Sequence, residues 1–363
     1  MVAAITNHKL DSHKYPALDS LRGIAAVMVI FQHLWEMSYL SDDRLRPWWF
    51  FCAGHEAVIL FFVLSGFVLS HQLRLFRFEH YHQFVFKRVM RIYPAYYAAL
   101  LFSGIMLVVA NHHFAGTLTN LNLQPWFYIW SQTTFDKTLW LGSLTLITHE
   151  GSSLNVAVWS LYFEMWLSLA FPLLLWLLFR AAKPLRITVL AVLFMASIYL
   201  WSSGRFMDDQ WESLLYYAWY FMLGMVIYHY QPWLRKVAGS WWLILGLLLY
   251  FCNYWLCGWL RSRLVQEVII AGGSFLLIVN AIHFSIFQQV LGGALFKFYG
   301  KISYSLYLFH LPLLYSLTYI LANRVEIGAL KVIIFIVATI VATLSYYAIE
   351  KPAVRFANRM LGR

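Results

Sequence analysis

Four ionisable side chains interrupt long apolar stretches of this sequence: Arg22, His33, Glu164 and His310. An ionisable residue inside a membrane span costs free energy, so each of them is by default a candidate for function. A carboxylate beside a neutral imidazole fixes its tautomer and raises its basicity, as a general base for a hydroxyl group requires. We therefore predict that His33 removes a proton during catalysis and that Glu164 orients its ring.

Spacing and depth indicate that these residues could meet. Arg22 and His33 are 11 residues apart, so on a helix they share one face at a separation of roughly 16 Å along the axis. In a ~30 Å core, His33 is expected roughly 20 Å from the inner end of its span, Glu164 roughly 12 Å from the outer end and His310 roughly 16 Å from the inner end. Three spans thus predict titratable groups in one layer.

Structural interpretations of the same residues stay open. Arg22 could be a cation that snorkels towards the membrane interface, and His33 could be a hydrogen-bonded packing residue. Glu164 could support a helix contact through Ser160 or Ser168, which share its helix face, or pair with a buried tyrosine or tryptophan. The sequence does not choose between these interpretations and catalysis.

Two further groups of side chains surround the central layer as candidates for substrate contact or structural support. Ser303 and Tyr307 share a helix face with His310, and Trp159 and Ser160 lie about one turn before the carboxylate on its own helix. Polar side chains of this kind also hold transmembrane helices together. Both roles remain open from the sequence.

Arg88 and Arg91 lie one helical turn apart in the segment FKRVMRIYP. Their planar guanidinium groups suit the oxygens of a phosphate. They are predicted at the inner boundary of a span, where basic residues are also expected from membrane topology alone. Phosphate binding and topology are therefore equally compatible with this pair.

The elements that must position these residues are membrane helices. The chain is 61% hydrophobic and 12% charged, with a mean hydropathy of +0.64, which exceeds what a soluble core of 363 residues could bury. We predict an all-α fold with about ten transmembrane helices, because each stretch is close to the ~20 residues that span a bilayer. The predicted spans lie near residues 20–39, 55–73, 90–110, 156–179, 185–202, 213–230, 240–257, 264–284, 299–321 and 328–350.

The charge distribution predicts the orientation. With the N-terminus inside, 19 of the 27 Lys and Arg residues fall on the inner side, so the positive-inside rule favours two cytoplasmic termini. The expected organisation is a cytoplasmic segment 1–19, a transmembrane domain 20–350 and a cytoplasmic basic tail 351–363. The net charge of +11 thus reflects topology, and we predict no nucleic-acid partner.

The connection 111–155 is the only long one, and this topology places it outside. It contains Trp126, Trp130, Trp140 and the apolar stretch LWLGSLTLI, which is too short to span. These features predict an interfacial or re-entrant segment that covers a site. A surface loop with an aromatic belt is the alternative.

Together these segments resemble the acyltransferase family 3 enzymes, which acylate extracytoplasmic carbohydrates. Six segments match the motifs of that family in order between residues 18 and 356: LDSLRGIAAVMVIFQH, FFVLSGFVLS, FKRVMRIYP, WSLYFE, GKISYSLYLFH and IEKPAVRF. A single Arg-x10-His motif is a weak signal, whereas six ordered motifs are strong. The chain departs from the family after Glu164, where MWLSLAFP replaces the usual acidic and amide residues.

The resemblance implies transfer of an acyl group, usually acetyl, from cytoplasmic acetyl-CoA to a carbohydrate hydroxyl on the far side of the membrane. By match, Arg22, Arg88 and Arg91 would bind the CoA phosphates, and His33 with Glu164 would act on the acceptor hydroxyl. The acceptor would be a cell-surface polysaccharide or glycolipid, the setting a bacterial inner membrane with its lipids, and no metal is implied. The oligomeric state is not indicated.

Alternatives to direct acyl transfer stay open. A transient acyl-enzyme is a second chemical route. A transporter or flippase for lipid-linked sugars would also place polar residues at the membrane midplane. We find none of the paired, Gly/Pro-broken helices typical of such transporters, and a noncatalytic scaffold would have no use for aligned His, Glu and Arg residues.

Overall fold

The computed structural model describes residues 15–37, 51–74, 78–113, 128–133, 137–146, 154–202, 210–253, 262–321 and 324–361. These ranges contain helices and no β-strand, which confirms the all-α prediction for the described part of the chain. The helices are α1 (Pro16–Glu36), α2 (Gly54–Gln72), α3 (Tyr81–His113), α4 (Ile129–Gln132), α5 (Lys137–Thr145), α6 (Val158–Phe179), α7 (Lys183–Ser202), α8 (Gln210–Leu234), α9 (Ser240–Tyr250), α10 (Arg263–His283), α11 (Ser285–Leu291), α12 (Ala294–Leu321), α13 (Ile327–Ser345) and α14 (Lys351–Met360).

Within the described ranges, seven helical stretches are long and apolar enough to cross a membrane, so the protein is a polytopic membrane protein. They are α1, α2, Phe78–Ala110, α6, α10, α12 and Ile327–Met360. The other three predicted spans coincide with α7, α8 and the short α9. The total of ten spans and the cytoplasmic location of the termini remain predictions.

Small residues bring the central helices into close contact. Gly23 of α1 faces Gly300 of α12, and a Cβ on either glycine would overlap or crowd the backbone of the other helix. A similar approach occurs between Gly66 of α2 and Gly224 of α8, where an added Cβ would meet backbone atoms. Membrane helices pack through such small residues because lipid supplies no hydrophobic drive for their association. The α1–α12 contact positions the functional layer described below.

Two helices begin earlier than predicted. The third predicted span starts at residue 90, whereas α3 begins at Tyr81, and α12 begins at Ala294 rather than residue 299. The last predicted span continues through a π-helical turn, Tyr346–Glu350, directly into α14. The segment predicted as a basic tail therefore begins as a helix, with Pro352 in its first turn, where proline is tolerated.

The long connection packs onto the bundle where the structure describes it. The apolar stretch forms α5, and its last carbonyl groups accept hydrogen bonds from three tyrosines of α3: Tyr93 to Thr145 at 2.7 Å, Tyr97 to Leu144 at 2.9 Å, and Tyr96 to Ser143.

Trp130 in α4 is fully buried and donates to the Leu154 carbonyl at 3.2 Å, and its ring centroid lies 5.0 Å from that of Tyr315 of α12 at a tilted angle. The choice between a covering segment and a plain surface loop stays a prediction, because much of 111–155 lies outside the described residues. Trp140 lies in α5, and Trp126 falls outside the described residues.

Candidate active site

The central layer contains two stacked histidines. His33 of α1 and His310 of α12 have ring centroids 5.3 Å apart and an interplanar angle of 25°. The close approach of α1 and α12 at the Gly23–Gly300 crossing brings these rings together. The shared depth predicted for the two histidines is thus matched by direct contact. His310 is 1% exposed, whereas the side chain of His33 is about a quarter exposed.

The hydrogen bond of His310 defines its tautomer. Its Nδ1 lies 2.6 Å from the Tyr307 carbonyl oxygen, and a carbonyl only accepts, so Nδ1 carries the hydrogen. In the neutral ring this leaves Nε2 as a lone-pair acceptor. Within the described part of the chain, that buried Nε2 has no hydrogen-bond partner. The layer therefore contains a buried proton acceptor beside His33.

The carboxylate that approaches His33 comes from Glu36. Its Oε2 lies 3.9 Å from His33 Nδ1, one helical turn further along α1. This distance is beyond a hydrogen bond but allows electrostatic interaction. Gln32 holds the carboxylate by donating to Oε1 at 2.7 Å, and its own amide oxygen accepts from the Gly54 backbone N–H at 2.5 Å. The start of α2 thereby fixes the acidic neighbour of His33.

Glu164 lies elsewhere. Its Oε1 is 3.2 Å from Nη2 of Arg88, and Nε of the same guanidinium donates to Ser168 at 3.2 Å. Among the described contacts none joins Glu164 to His33, and the orientation of the His33 ring by Glu164 stays a prediction. Glu164 pairs with Arg88 because Arg88 lies two turns inside α3 and is buried, and a buried cation requires a paired anion. The catalytic role of Glu164 itself stays a prediction.

The three predicted arginines lie close to three carboxylates, those of Glu164, Glu350 and Asp19. Arg91, one turn after Arg88, is exposed, and Arg91 and Arg22 both interact electrostatically with Glu350. Glu350 is 4% exposed and accepts a hydrogen bond from Ser305 at 2.9 Å. Arg22 also pairs with Asp19 at 3.0 Å.

Tyr304 joins the arginine groups to the rest of the bundle. Its hydroxyl donates to the Ile92 carbonyl of α3 at 2.8 Å, and it interacts electrostatically with Glu164, Glu350 and both arginines of α3. We name Arg22, Arg88, Arg91, Glu164 and Glu350 the arginine cluster. It lies at the end of the bundle where α1 begins.

The predicted support residues divide into two kinds. Tyr307 lies 2.6 Å from Ser160 and donates to the Ala157 carbonyl at 2.9 Å, which ties α12 to the start of α6. Its ring centroid is 5.6 Å from that of His310. Ser303 instead donates back to the Gly300 carbonyl of its own helix at 3.0 Å. Ser160 and Tyr307 therefore border the histidine layer, whereas Ser303 makes a local helix contact.

Glu36 and Glu350 were not predicted as site residues from the sequence, although a feature of the sequence marks each of them. Glu36 follows His33 by three positions, the spacing at which helical side chains are neighbours. Glu350 ends the last apolar run in IEKPAVRF, so it is an ionisable residue at the edge of a span.

Comparison with known proteins identifies the family of the chain. The model of the acyltransferase domain family matches residues 15–348. Nodulation protein 10 of Rhizobium leguminosarum bv. viciae is 24% identical over 375 residues, which cover 95% of each chain. No solved structure matches.

Two shorter matches point the same way. The O-acetyl transferase of Shigella phage Sf6 is 36% identical over 83 residues, 23% of this chain and 24% of the relative. Acyltransferase MdmB of Streptomyces mycarofaciens is 28% identical over 165 residues, 44% of this chain and 39% of the relative. Because the family match extends over nearly all of the described helices, the chain belongs to the acyltransferase domain family and is a membrane-embedded acyltransferase.

Proposed function

We propose that this enzyme transfers an acetyl group from cytoplasmic acetyl-CoA to a carbohydrate hydroxyl on the extracytoplasmic side of a bacterial inner membrane. The observation that supports it most is the stacked pair of His33 and His310, which lies between the arginine cluster and the opposite end of the helix bundle. A donor and an acceptor that approach from the two ends would meet at these rings.

We assign the binding of acetyl-CoA, the acyl donor, to the arginine cluster. Coenzyme A carries several phosphate oxygens, and the planar donors of arginine bind such groups through charge-assisted hydrogen bonds. Arg91 is exposed and Arg22 is 19% exposed, so both are placed to meet a ligand from outside the bundle. Arg88 lies deeper and adds positive charge behind Arg91.

The chemistry then follows from the histidine layer. The His33 imidazole takes the proton of the acceptor hydroxyl, and the oxygen attacks the thioester carbonyl carbon. The C–S bond breaks, the acetyl ester forms, and the CoA thiolate takes the proton from the imidazolium. The Glu36 carboxylate, 3.9 Å away, stabilises the imidazolium while it exists. Direct transfer of this kind needs no acyl-enzyme.

The orientation of the protein completes the proposal. Nineteen of the 27 basic residues fall on one side when both termini are cytoplasmic, and this places the arginine cluster at the cytoplasmic face. The resemblance to carbohydrate O-acyltransferases and the O-acetyl transferase among the relatives support an acetyl group and a glycan acceptor.

The test is transfer of radiolabel from [14C]acetyl-CoA to the glycans of membranes that contain the protein. His33→Ala should abolish incorporation, whereas His229→Ala, which removes an exposed histidine near the end of α8, should leave it unchanged at equal protein levels. Full incorporation by His33→Ala, or none by the unaltered enzyme, would contradict the proposal.

A further inference from the structure

A second polar cluster lies inside the bundle around Glu267 of α10. The carboxylate is 1% exposed and accepts hydrogen bonds from three groups: Arg263 Nε at 3.0 Å, Tyr216 at 2.5 Å and Tyr220 at 2.9 Å. His55 Nε2 also lies 3.0 Å from the carboxylate, without the geometry of a hydrogen bond. We name these five residues the Glu267 cluster. None of them belongs to the predicted site or to the mechanism above, yet ionisable groups at membrane depth mark function by default.

The cluster lies at the end of the bundle opposite the arginine cluster. His55 directly follows Gly54, whose backbone N–H donates to Gln32 near the end of α1. Arg22 of the arginine cluster lies near the beginning of the same helix. A molecule bound at the Glu267 cluster would therefore approach His33 from the side that the donor does not use.

One tyrosine connects the Glu267 cluster to the histidine layer. Tyr217 of α8 interacts electrostatically with both Glu267 and Tyr307. Its ring centroid is 5.8 Å from that of Trp159, which is only partly buried. Tyr307 in turn contacts His310. Tyr217 therefore lies between the Glu267 cluster and the histidine layer and is electrostatically coupled to both.

Exposure within the cluster is unequal. Glu267, Tyr216 and Tyr220 are buried, whereas the side chain of Arg263 is 49% exposed and that of His55 is 28% exposed. A buried carboxylate that already accepts from three groups and lies 3.0 Å from His55 Nε2 has little capacity for another ligand. Glu267 is therefore suited to hold Arg263 and His55 in fixed orientations at the surface of the cluster.

We propose that the Glu267 cluster is the acceptor subsite of the enzyme and that its ligand is a hydroxyl-rich glycan. Arg263 and His55 donate hydrogen bonds to sugar oxygens, the partly buried Trp159 ring offers an apolar face to the sugar, and Glu267 acts as their positioning residue. This inference rests on the proposed acetyl transfer to a carbohydrate. It identifies the residues that select the acceptor.

The experiment measures the two substrates separately. Heat-treated membranes of the same cells supply the acceptor, and [14C]acetyl-CoA is the donor. The amount of acceptor membranes is varied at saturating acetyl-CoA, and the acetyl-CoA concentration is varied at saturating acceptor membranes. His55→Ala and Arg263→Gln should each raise the half-saturating amount of acceptor membranes about tenfold or more, because each removes a hydrogen bond from a charged or polar donor. The half-saturating acetyl-CoA concentration should change less than twofold.

His229→Ala and Arg359→Gln are the matched controls. Both residues are exposed and lie outside the two clusters. These variants should leave both half-saturating values unchanged. Arg91→Ala provides the converse pattern, with a raised acetyl-CoA requirement and an unchanged acceptor requirement.

Two outcomes would overturn the inference. Unchanged acceptor dependence in both variants would show that the cluster does not meet the acceptor. A parallel loss for both substrates, together with a lower Tm of the purified protein, would show that the cluster only ties α2, α8 and α10 together. A failure of the proposed function can be distinguished from these outcomes, because the unaltered enzyme would then transfer no label at all. The assignment of the acceptor subsite would then also be wrong.

Discussion

The two ends of the helix bundle each contain a buried ion pair, and the pairs differ in which partner is buried. In the pair of Arg88 and Glu164 the guanidinium is 9% exposed and the carboxylate 31%. In the pair of Arg263 and Glu267 the carboxylate is 1% exposed and the guanidinium 49%. In both, the buried partner holds the more accessible one in place.

Because of this difference, the arginines at the two ends have different roles. Arg88 is an anchor that fixes Glu164, whereas Arg91 and Arg263 are accessible arginines at opposite ends. The arginine cluster presents the planar guanidinium groups of Arg91 and Arg22, which suit the phosphate oxygens of an anionic acyl donor. The Glu267 cluster instead presents single hydrogen-bond donors, which suits the neutral hydroxyl groups of an acceptor.

The largest expected effect concerns the side of the membrane on which each end of the bundle lies, because the labelling outcome is all or none. In a background with the native cysteines replaced, a cysteine at Lys137 should react with an impermeant thiol reagent in intact cells. A cysteine at Arg235 should react only after the membrane is opened, since the positive-inside rule places it in the cytoplasm. Both positions are exposed at the surface of the described helices. The reverse pattern would exchange the donor and acceptor ends.

Between the two ends, His33→Gln should reduce transfer by about 10²–10⁴-fold, the usual contribution of general-base catalysis. Glutamine is polar and similar in size but cannot accept a proton at neutral pH, so the protein should still fold. Stabilisation by added CoA, measured as a rise in Tm, should persist. If transfer were lost and added CoA no longer raised the Tm, the histidine would have a packing role instead.

The anchoring role of Arg88 predicts a stability effect. Arg88→Met leaves the partly buried Glu164 without its cation, and an unpaired group of this kind costs about 1–3 kcal/mol. The double variant Arg88→Met with Glu164→Leu should recover much of this loss, because no uncompensated charge remains. Thermal unfolding of the detergent-purified proteins measures both. An equal Tm for Arg88→Met and the unaltered enzyme would rule out the anchor.

The accessible arginine at the same end should act on the donor alone. Arg91→Ala removes charge-assisted hydrogen bonds, so the half-saturating acetyl-CoA concentration should rise about tenfold or more, with little change in Tm. Arg359→Ala, a basic residue exposed in α14, is the control for a general loss of positive charge. If the two variants behaved alike, Arg91 would contribute only to topology.

The smallest expected effect concerns Glu36. Glu36→Gln removes the negative charge 3.9 Å from His33 and should lower the maximal rate about three- to tenfold, because the imidazolium loses part of its stabilisation. Both half-saturating concentrations should stay the same, since the side chain lies outside the two end clusters. A loss that matches His33→Gln would instead make Glu36 essential to proton transfer.

The sequence determined the class of the protein and the depth of its functional groups. Apolar runs of about 20 residues can only be membrane helices, and the regular rise of a helix converts residue number into depth. That is why the common layer of His33 and His310 was predictable. The order of six motifs was sufficient to indicate the acyltransferase family, which the match over residues 15–348 confirms.

The tertiary structure decided which groups at similar depths face one another. Depth leaves the rotation of each helix about its axis undetermined, and that rotation follows from packing at contacts such as Gly23 against Gly300. Arg88 could reach Glu164 only because α3 begins earlier than expected and turns this side chain inwards.

The surroundings of Glu267 could not be predicted from the sequence either. Its place within the apolar run LVQEVIIAGG marks it as unusual in the sequence, but its three donors and the nearby His55 come from three different helices. Only the folded bundle brings them together, because contacts between distant segments depend on helix packing and not on spacing along the chain.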